Sequence, residues 1–229
     1  MSVMGVTGVN DEQKELERAI LDKEHRIVIA TGRAGTGKDF ISIATALQMK
    51  EDKEIQQIFY VRDPVEVGES LGFLKGDEEE KFDPFLGPLQ DTVTAIVDAS
   101  NEPHNINDLL YKIEGIPLNF VRGRTFENAI VICDECQNMS FTELQTIITR
   151  MGKYSKIILL GSYSQIDKKE QLRKVKCDFQ VAAEALAAKD YVEVVELKQS
   201  VRSDWCAEVD EIFDGLKRNE QKWPLAYNK

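Results

Sequence analysis

The sequence has few of the features that mark membrane, secreted or metal-cluster proteins. Its 229 residues include only two histidines and four cysteines, and no run of about 18 apolar residues that could span a bilayer. The first residues also lack the basic stretch followed by an apolar stretch that is typical of a secretory signal. We therefore expect a cytoplasmic protein with reduced thiols and no membrane segment.

The chain also lacks an excess of positive charge. It carries 29 Lys and Arg residues against 40 Asp and Glu residues, which gives a formal net charge of -11. This balance argues against a uniformly basic coat for nucleic acid, although it leaves room for a local basic groove. The apolar fraction of 42% is ordinary for a globular protein, and a chain of this length can bury a sizeable core without disulfides or metals.

Short apolar runs alternate with helical patterns along the chain. Residues 26–31 are rich in β-branched side chains and predict a buried strand, and the apolar spacing after Lys38 predicts a helix. Such alternation is typical of βαβ units and predicts an α/β fold with a mostly parallel central sheet. Further strands are predicted at Gln57–Arg62, Leu118–Val121, Ala129–Asp134, Lys156–Gly161 and Val192–Leu197.

Proline is concentrated in one part of the chain. Five of the six prolines fall between residues 63 and 128. Because no repeat or linker separates this stretch from its neighbours, we interpret it as a Pro-rich insertion in a single domain that covers residues 1–229.

Two further helices are predicted from capping and apolar spacing. Ser140 and Glu143 form a capping-box pattern that opens a helix. The inward face of that helix is expected to hold Phe141, Leu144, Ile148 and Met151. A C-terminal amphipathic helix is predicted from Trp205, Val209, Ile212, Phe213 and Leu216.

A glycine-rich motif lies between the first predicted strand and the helix that follows it. Residues 32–39 match the pattern G-x-x-x-x-G-K-[ST] at every position except the last. In this strand–loop–helix context the glycines let backbone N–H groups wrap a phosphate, and Lys38 reaches the β- and γ-phosphates. We therefore predict that ATP is bound by Gly32, Arg33, Ala34, Gly35, Thr36, Gly37, Lys38, Asp39 and Phe40.

Asp39 stands where this motif usually has a Ser or Thr hydroxyl that binds Mg²⁺. A carboxylate is also a Mg²⁺ ligand, but it adds negative charge beside a triphosphate. In the alternative interpretation, Asp39 pairs with a neighbouring cation and stabilises the N-terminus of the helix. The sequence supports both interpretations equally.

A second motif is an apolar strand that ends in two carboxylates. Ala129–Asp134 is followed directly by Glu135. Downstream of a phosphate-binding loop, this pattern predicts Asp134 as a Mg²⁺ ligand and Glu135 as the group that orients or deprotonates the attacking water. Gln165 lies in the polar turn after the strand Lys156–Gly161, where its amide could bond the γ-phosphate or the water.

Cys133 and Cys136 flank the acidic pair with the spacing of a redox pair or of half a zinc site. A zinc site needs two more soft ligands, and neither of the two histidines is close in sequence. Because a thiol in a buried strand behaves as a small apolar side chain, we interpret both cysteines as packing residues.

These motifs resemble those of the PhoH-like family of P-loop ATPases, whose core is related to superfamily 1 helicases. The likeness lies in residues 32–39, 62–89, 122–138 and 159–167, of which 62–89 is the most specific stretch. It implies a P-loop NTPase (RecA-like) fold of three layers, with ATP and Mg²⁺ as cofactors and ATP hydrolysis as the activity. It also implies a homo-oligomer, since many family members form hexameric rings.

The resemblance also suggests roles for residues outside these stretches. Gln13 resembles the helicase-like glutamine that contacts adenine, although its position three residues after Asn10 fits a capping role as well. Arg202 resembles a transition-state arginine finger and is counted with Lys38, Glu135 and Gln165 as a candidate catalytic residue.

Two positions depart from the family pattern, and both departures alter contacts to metal or water. Ser162 stands where the family commonly has Asp, and Asp39 replaces the hydroxyl of the phosphate-binding motif. We hypothesise that the carboxylate lost at one position is compensated by the carboxylate gained at the other.

A local basic region could serve a nucleic acid. Residues 168–176 carry five cations, and Arg122 and Arg124 could join them in a groove for RNA or single-stranded DNA, although a solvated surface is the commoner meaning of such a run. The sequence thus predicts a Mg-dependent ATPase that acts as an oligomer on RNA or single-stranded nucleic acid. Helicase-like activity is compatible with this prediction. The alternative is a nucleotide-binding ring subunit with weak or no hydrolysis.

Overall fold

The computed structural model describes residues 4–62, 78–168, 171, 173–203, 205–206, 208–209 and 212–213, with the backbone alone for 78–85. A six-stranded sheet, all of whose pairings are parallel, has the order β3-β2-β4-β5-β1-β6. The predicted α/β class with a parallel sheet is confirmed. The strands are β1 (Ile27–Gly32), β2 (Gln57–Arg62), β3 (Ile113–Pro117), β4 (Ala129–Asp134), β5 (Lys156–Gly161) and β6 (Val192–Leu197).

Helices cover both faces of the sheet and complete three layers. One face packs against α1 to α4, and the other packs against α5 and α6. Successive residues of a strand serve opposite cores: Val28 belongs to the first cluster and Ile29 to the second. The helices are α1 (Asp11–Leu21), α2 (Lys38–Glu51), α3 (Glu78–Ala99), α4 (Ile106–Leu110), α5 (Phe141–Ile148) and α6 (Asp178–Leu186).

The strands predicted from the sequence include all four central ones, β1, β2, β4 and β5, and the edge strand β6. Every residue of β4 and β5 is buried, because helices cover both faces of the parallel sheet. These strands therefore do not alternate between buried and exposed side chains. The edge strand β6 has a mixed burial pattern. None of the described helices is both long enough and apolar enough to cross a bilayer.

The predicted strand at Leu118–Val121 is wrong. Those residues form a 3-10 helix, and the strand of this region, β3, comes directly before them. Leu118 and Val121 are buried, and a spacing of three residues places both on one side of a 3-10 helix. A short apolar run therefore does not distinguish a strand from a turn of 3-10 helix.

The predicted inward face of α5 is wrong at one position. Ser140 and Glu143 form the predicted capping box, but the Phe141 side chain is 50% exposed and lies under the Lys174 ammonium, 5.8 Å from the ring centroid. Ile147 takes its place in the core beside Leu144.

The predicted C-terminal helix is described only in part. Its described residues are helical, whereas Leu216 lies outside the described residues. The apolar face of this segment is exposed, with Trp205, Val209, Ile212 and Phe213 all open to solvent. Most of the Pro-rich stretch is described, except for residues 63–77, and it supplies α3, α4 and the edge strand β3.

Strand order brings the two predicted motifs to one edge of the sheet. β5 pairs with β1 on one side and with β4 on the other. Since all three strands are parallel, their carboxyl ends lie on the same side of the sheet. The glycine-rich loop after β1, the turn after β5 and the acidic end of β4 are therefore close together. This is the position where open α/β sheets bind ligands.

Candidate nucleotide-binding site

A pocket of about 190 Å³ opens at the carboxyl edge of β1, β4 and β5. Its wall combines the glycine-rich loop, residues 32–38, which we call the phosphate loop, with the acidic end of β4. The predicted site residues that line it are Ala34, Gly35, Lys38, Asp39, Asp134, Glu135, Gln165 and Arg202.

The phosphate loop turns through two left-handed glycines. Gly35 has a φ of 78° and Gly37 has a φ of 83°, and α2 begins at the next residue, Lys38. A side chain at Gly35 would also overlap Arg202, whose Cδ would lie 2.5 Å from an added Cβ. Glycine is therefore required here both by conformation and by the close approach of Arg202.

The loop is held by chain segments that are distant in sequence. The Ala34 N–H donates to Gln165 Oε1 at 3.0 Å, and the Val201 N–H donates to the Gly35 carbonyl at 2.8 Å. Thus the turn after β5 and the segment that carries Arg202 both bind the loop within one chain.

Gln13 also contacts the phosphate loop. Its Nε2 donates to the Thr36 carbonyl at 2.9 Å, and its backbone N–H donates to Asn10 Oδ1 at 2.9 Å as part of the cap of α1. The capping position predicted from the spacing is confirmed, with Asn10 as the acceptor. Thr36 is fully buried, and its hydroxyl donates to the Arg33 carbonyl at 3.0 Å.

Lys38 and Asp39 place one cation and one carboxyl group at the start of α2. The Lys38 Nζ lies 3.9 Å from Asp39 Oδ2, and the Asp39 carboxyl is also in hydrogen-bond contact with Asp134. Burial and the charge of Asp134 raise the pKa of Asp39 to about 7, with Lys38 acting in the opposite direction. Asp39 therefore faces a cation, as one interpretation expected, and also a second carboxylate, which neither interpretation predicted.

Two side chains of β2 hold the Asp134 carboxylate. The buried Tyr60 hydroxyl donates to Asp134 Oδ2 at 2.6 Å, and the Arg62 Nε lies 3.6 Å from the same oxygen. Burial, followed by the charges of Asp134 and Asp39, raises the pKa of Tyr60 well above its usual range. Tyr60 therefore acts here as a hydrogen-bond donor.

Glu135 sits on a strained backbone at the mouth of the pocket. Its φ is 57°, an unusual value for a glutamate. An Arg62 guanidinium nitrogen lies 3.6 Å from its Oε1, and the Gln137 amide donates to its Oε2. Burial and the Asp134 charge raise the pKa of Glu135, whereas the Gln137 hydrogen bond and Arg62 oppose the rise.

Gln137 connects the acidic strand end to the turn after β5. Its Nε2 donates to the Gln165 carbonyl at 2.9 Å, and its Oε1 accepts from the Ser162 N–H at 3.1 Å. The same amide thus contacts Glu135, the turn that holds Gln165, and the residue that departs from the family pattern.

Sequence reasoning missed Tyr60, Arg62 and Gln137. Arg62 pairs directly with Asp134 across β2 and β4, and Tyr60 lies two residues earlier on the same face of β2. This signal exists only once the strand order is known. The polar Gln137, so close to the acidic pair, is the one residue that the sequence could have offered as a candidate.

The carboxylates fit a magnesium ion bound together with phosphates. In the described part of the chain, no group of three or more His, Cys, Asp or Glu side chains is arranged to hold a metal alone. Mg²⁺ in phosphate sites commonly takes only one or two carboxylates and completes its shell with phosphate oxygens and water. Asp39 and Asp134, in contact and mutually repulsive, form such a pair.

A second, more apolar cleft of about 410 Å³ adjoins the phosphate loop. It is lined by three predicted binding residues, Gln13, Gly37 and Phe40, together with Val9 and Val201. Its size and its apolar side chains suit a purine ring. Of the predicted binding residues, Gly32, Arg33 and Thr36 line neither cavity, and they shape the loop instead.

The predicted packing role of the cysteines is confirmed. Cys133 and Cys136 are free thiols, fully buried in the core between the sheet, α5 and α6. The Cys136 thiol donates to the Cys133 carbonyl at 3.1 Å, and burial raises its pKa well above the usual range. A buried, protonated thiol is unreactive.

The predicted basic groove is brought together only in part. Burial raises the pKa of Glu143, but hydrogen bonds to Ser140 and the charges of Lys168 and Arg122 outweigh burial and lower the pKa overall. These two predicted cations therefore act on the same carboxylate. Other cations of the region are paired with acids: Arg124 with Glu114, Lys174 with Asp178 and Lys176 with Glu184.

Known proteins match most of this chain in sequence. Residues 5–214 match the family model described as PhoH-like protein. The chain is 38% identical to a PhoH-like protein of Bacillus subtilis over 194 residues, which is 84% of this chain and 59% of the relative. It is 41% identical to a PhoH-like protein of Synechocystis over 68% of this chain and 46% of the relative.

Protein PhoH of Escherichia coli is 37% identical over 69% of this chain and 44% of its own length. The chain therefore spans about half the length of these relatives. A solved structure of an ATPase domain overlaps 74% of this chain and 67% of its own, with 13% identity and a TM-score of 0.30, which is too low to support a conclusion. The family match and the phosphate loop support nucleotide binding, and the chain belongs to the PhoH-like protein family.

Proposed function

We propose that the protein binds ATP with Mg²⁺ in this pocket and hydrolyses it. One observation carries the proposal: the phosphate loop and the acidic end of β4 face each other across one pocket, with Asp39 and Asp134 in contact. A turn rich in glycine alone would bind an anion, and an acidic strand end alone would bind a cation. Their juxtaposition suits an anion that carries a divalent cation.

The phosphate loop supplies the binding groups. Backbone N–H groups around Gly35 and Gly37 form a concave surface for the β-phosphate, and Lys38 adds a positive charge that little solvent screens, because the residue is buried. The Ala34 N–H, now bound to Gln165, is a further donor for a phosphate oxygen.

Asp39 and Asp134 would hold the magnesium ion, and Tyr60 orients the second of them. When bound, the ion neutralises charge on the β- and γ-phosphates. The cation would also relieve the repulsion that raises the pKa of Asp39.

Glu135 is suited to orient the attacking water and to accept its proton. Its carboxylate opens into the pocket, and Arg62 and Gln137 fix its direction. A raised pKa makes it a better base than a carboxylate in bulk water. Gln165 and Arg202 line the same pocket, where an amide can bond the water and a guanidinium can stabilise charge on the transferred phosphoryl group.

A second candidate function is nucleotide binding with weak or no turnover. The contact between Asp39 and Asp134 favours it, because two carboxylates beside a triphosphate repel the nucleotide unless a metal is firmly held. The two functions differ in the turnover of bound Mg-ATP.

Action on RNA or single-stranded DNA by a homo-oligomer, including a hexameric ring, belongs to the proposal as well. The charges of Lys168 and Arg122 both act on the Glu143 carboxylate, which supports placing a nucleic acid near these two cations, and family membership favours assembly. The net charge of -11 makes binding by a lone subunit weak and salt-sensitive.

Steady-state release of phosphate from Mg-ATP, with and without single-stranded RNA, tests this function. We expect turnover that Lys38→Ala abolishes and that Lys112→Ala, a surface variant outside the pocket, leaves unchanged. Binding of Mg-ATP without turnover would favour the second candidate.

The mass of the protein in solution, measured with and without Mg-ATP, tests assembly. A monomer under both conditions would contradict assembly.

A further inference from the structure

Both polar atoms of the Gln13 side-chain amide make hydrogen bonds within the protein. Gln13 is only 4% exposed. Its Oε1 accepts from the Val9 N–H at 2.9 Å, and its Nε2 donates to the Thr36 carbonyl at 2.9 Å. The amide therefore joins the segment that precedes α1 to the centre of the phosphate loop.

Two glycines allow the amide to come this close. A side chain at Gly37 would overlap Nε2 of Gln13, and a Cβ at Gly8 would lie 3.0 Å from the Cβ of Gln13. Gly37 is also the left-handed residue that directs the loop into α2. Gln13 is thus packed against the residue on which the shape of the loop depends.

The neighbouring cleft offers little else that could read the edge of a base. Its side chains are mostly apolar, and the other polar ones, Thr7 and Asn101, are exposed. An apolar wall such as Phe40 packs against any purine, whereas discrimination between adenine and guanine needs a buried polar group that the wrong base leaves unpaired. Gln13 is the buried polar side chain of this cleft, and its amide is already bound to Val9 and Thr36.

We propose that Gln13 is a positioning residue that holds the phosphate loop through the Thr36 carbonyl, so that the cleft binds ATP and GTP with similar affinity. The inference rests on the proposed nucleotide site and concerns how that site selects its ligand. In this inference Gln13 affects phosphate binding by holding the loop, and it does not recognise the base.

A probe without a base separates the two roles. We would measure the dissociation constants of ATP, GTP and inorganic tripolyphosphate, each with Mg²⁺, for the unmodified protein and for Gln13→Leu. Loss of the hydrogen bond to Thr36 should weaken all three ligands by about tenfold, because a buried carbonyl loses its partner and the loop loses its support. The ratio of the ATP and GTP constants should stay within about threefold of unity in both proteins.

Gln13→Glu and Gln145→Leu complete the experiment. The glutamate keeps the acceptor for the Val9 N–H but loses the donor to Thr36, so it should weaken tripolyphosphate at least as much, and its thermal midpoint reports whether it folds. Gln145, an exposed residue of α5, controls for the loss of an amide. A strong preference for ATP that Gln13→Leu abolishes, with tripolyphosphate binding unchanged, would overturn the inference. Failure of the unmodified protein to bind any of the three ligands would instead overturn the proposed site.

Discussion

The two walls of the pocket differ in the charges that their polar groups bring together. The phosphate loop accepts hydrogen bonds from Gln13 and the Val201 backbone and donates one to Gln165, all within one chain. The carboxylate cluster, which we define as Asp39, Asp134 and Glu135, gathers like charges that raise the pKa of Asp39 and Glu135.

This difference separates the tasks of the two walls. Under the proposed function, a preformed loop costs little ordering free energy when it binds phosphate, and we therefore expect it to govern affinity. A cation would relieve the repulsion within the carboxylate cluster, and we expect this wall to govern turnover. We expect variants of the loop side to weaken binding, and variants of the cluster side to change turnover and the response to metal and pH.

The largest expected effect is on the loop side. Lys38→Ala removes the buried cation that faces the phosphates, and should weaken Mg-ATP binding by about 100-fold or more, as expected for a charge-assisted contact in a poorly solvated pocket. Titration calorimetry measures this change. Lys112→Ala, whose ammonium pairs with Glu51 outside the pocket, should bind as the unmodified protein does. Equal binding by Lys38→Ala would show that the loop does not govern affinity.

Arg202 tests whether the loop side also contributes to chemistry. Its side chain packs against Gly35 of the same chain, so Arg202→Ala should lower kcat by about 10- to 1,000-fold with a smaller change in affinity. Phosphate release by equal mixtures of Arg202→Ala and Glu135→Gln distinguishes action within a chain from action between chains. We expect no recovery of activity on mixing. Recovery would mean that each site takes its arginine from a neighbouring subunit.

The sequence predicted the two walls but not how they are supported. The phosphate loop and the acidic strand end are local patterns, since their residue types and spacing carry the chemistry. The supports are not local: Gln13 meets Thr36, and Arg62 meets Asp134, only after the strands are arranged side by side. The spacing of residues along the sequence does not indicate contacts between side chains on different strands and helices.

The fold shows the same limit at one edge of the sheet, in β3, whereas the other edge strand, β6, has the predicted bounds. The central strands were readable because both faces are buried and their residues are continuously apolar. The edge strand β3, with a glycine and an exposed glutamate among its five residues, carries a weak pattern, and the apolar turn of 3-10 helix after it was the stronger apolar signal. Burial alone does not specify the conformation of four residues.

The departures at Asp39 and Ser162 allow a test within the cluster. Both residues line the pocket, and Ser162 carries no charge where the family commonly has Asp. If one carboxylate compensates for the other, Asp39→Thr and Ser162→Asp should each lower kcat by about tenfold, while the double variant should match or exceed the unmodified protein. Effects that simply multiply in the double variant would contradict compensation.

The smallest expected effect is on stability. The pKa of Asp39, about 7 in the folded protein against an ordinary 3.8, means that protonation stabilises the metal-free fold fully below about pH 4 and that this stability is lost as the pH rises through 7. Because the side chain is 34% exposed, solvent screens part of the effect. We expect a thermal midpoint about 2–4 °C lower at pH 8 than at pH 5.

Asp39→Asn should remove most of this dependence and raise the midpoint at pH 8, because it abolishes the repulsion with Asp134. Differential scanning calorimetry in chelator measures both changes. Asp190→Asn, a change at an exposed site, serves as the control. A pH dependence that is unchanged in Asp39→Asn would show that the repulsion lies elsewhere.

The division of labour between the two walls is tested most directly by Glu135→Gln, with Mg-ATP affinity and single-turnover phosphate release measured on the same preparation. The amide keeps the size and hydrogen-bonding shape of the side chain but cannot accept the proton of the water. We predict that the dissociation constant stays within about threefold, whereas the rate of phosphate release falls by about 100-fold or more. An unchanged rate, or a loss of affinity as large as the loss of rate, would contradict the account.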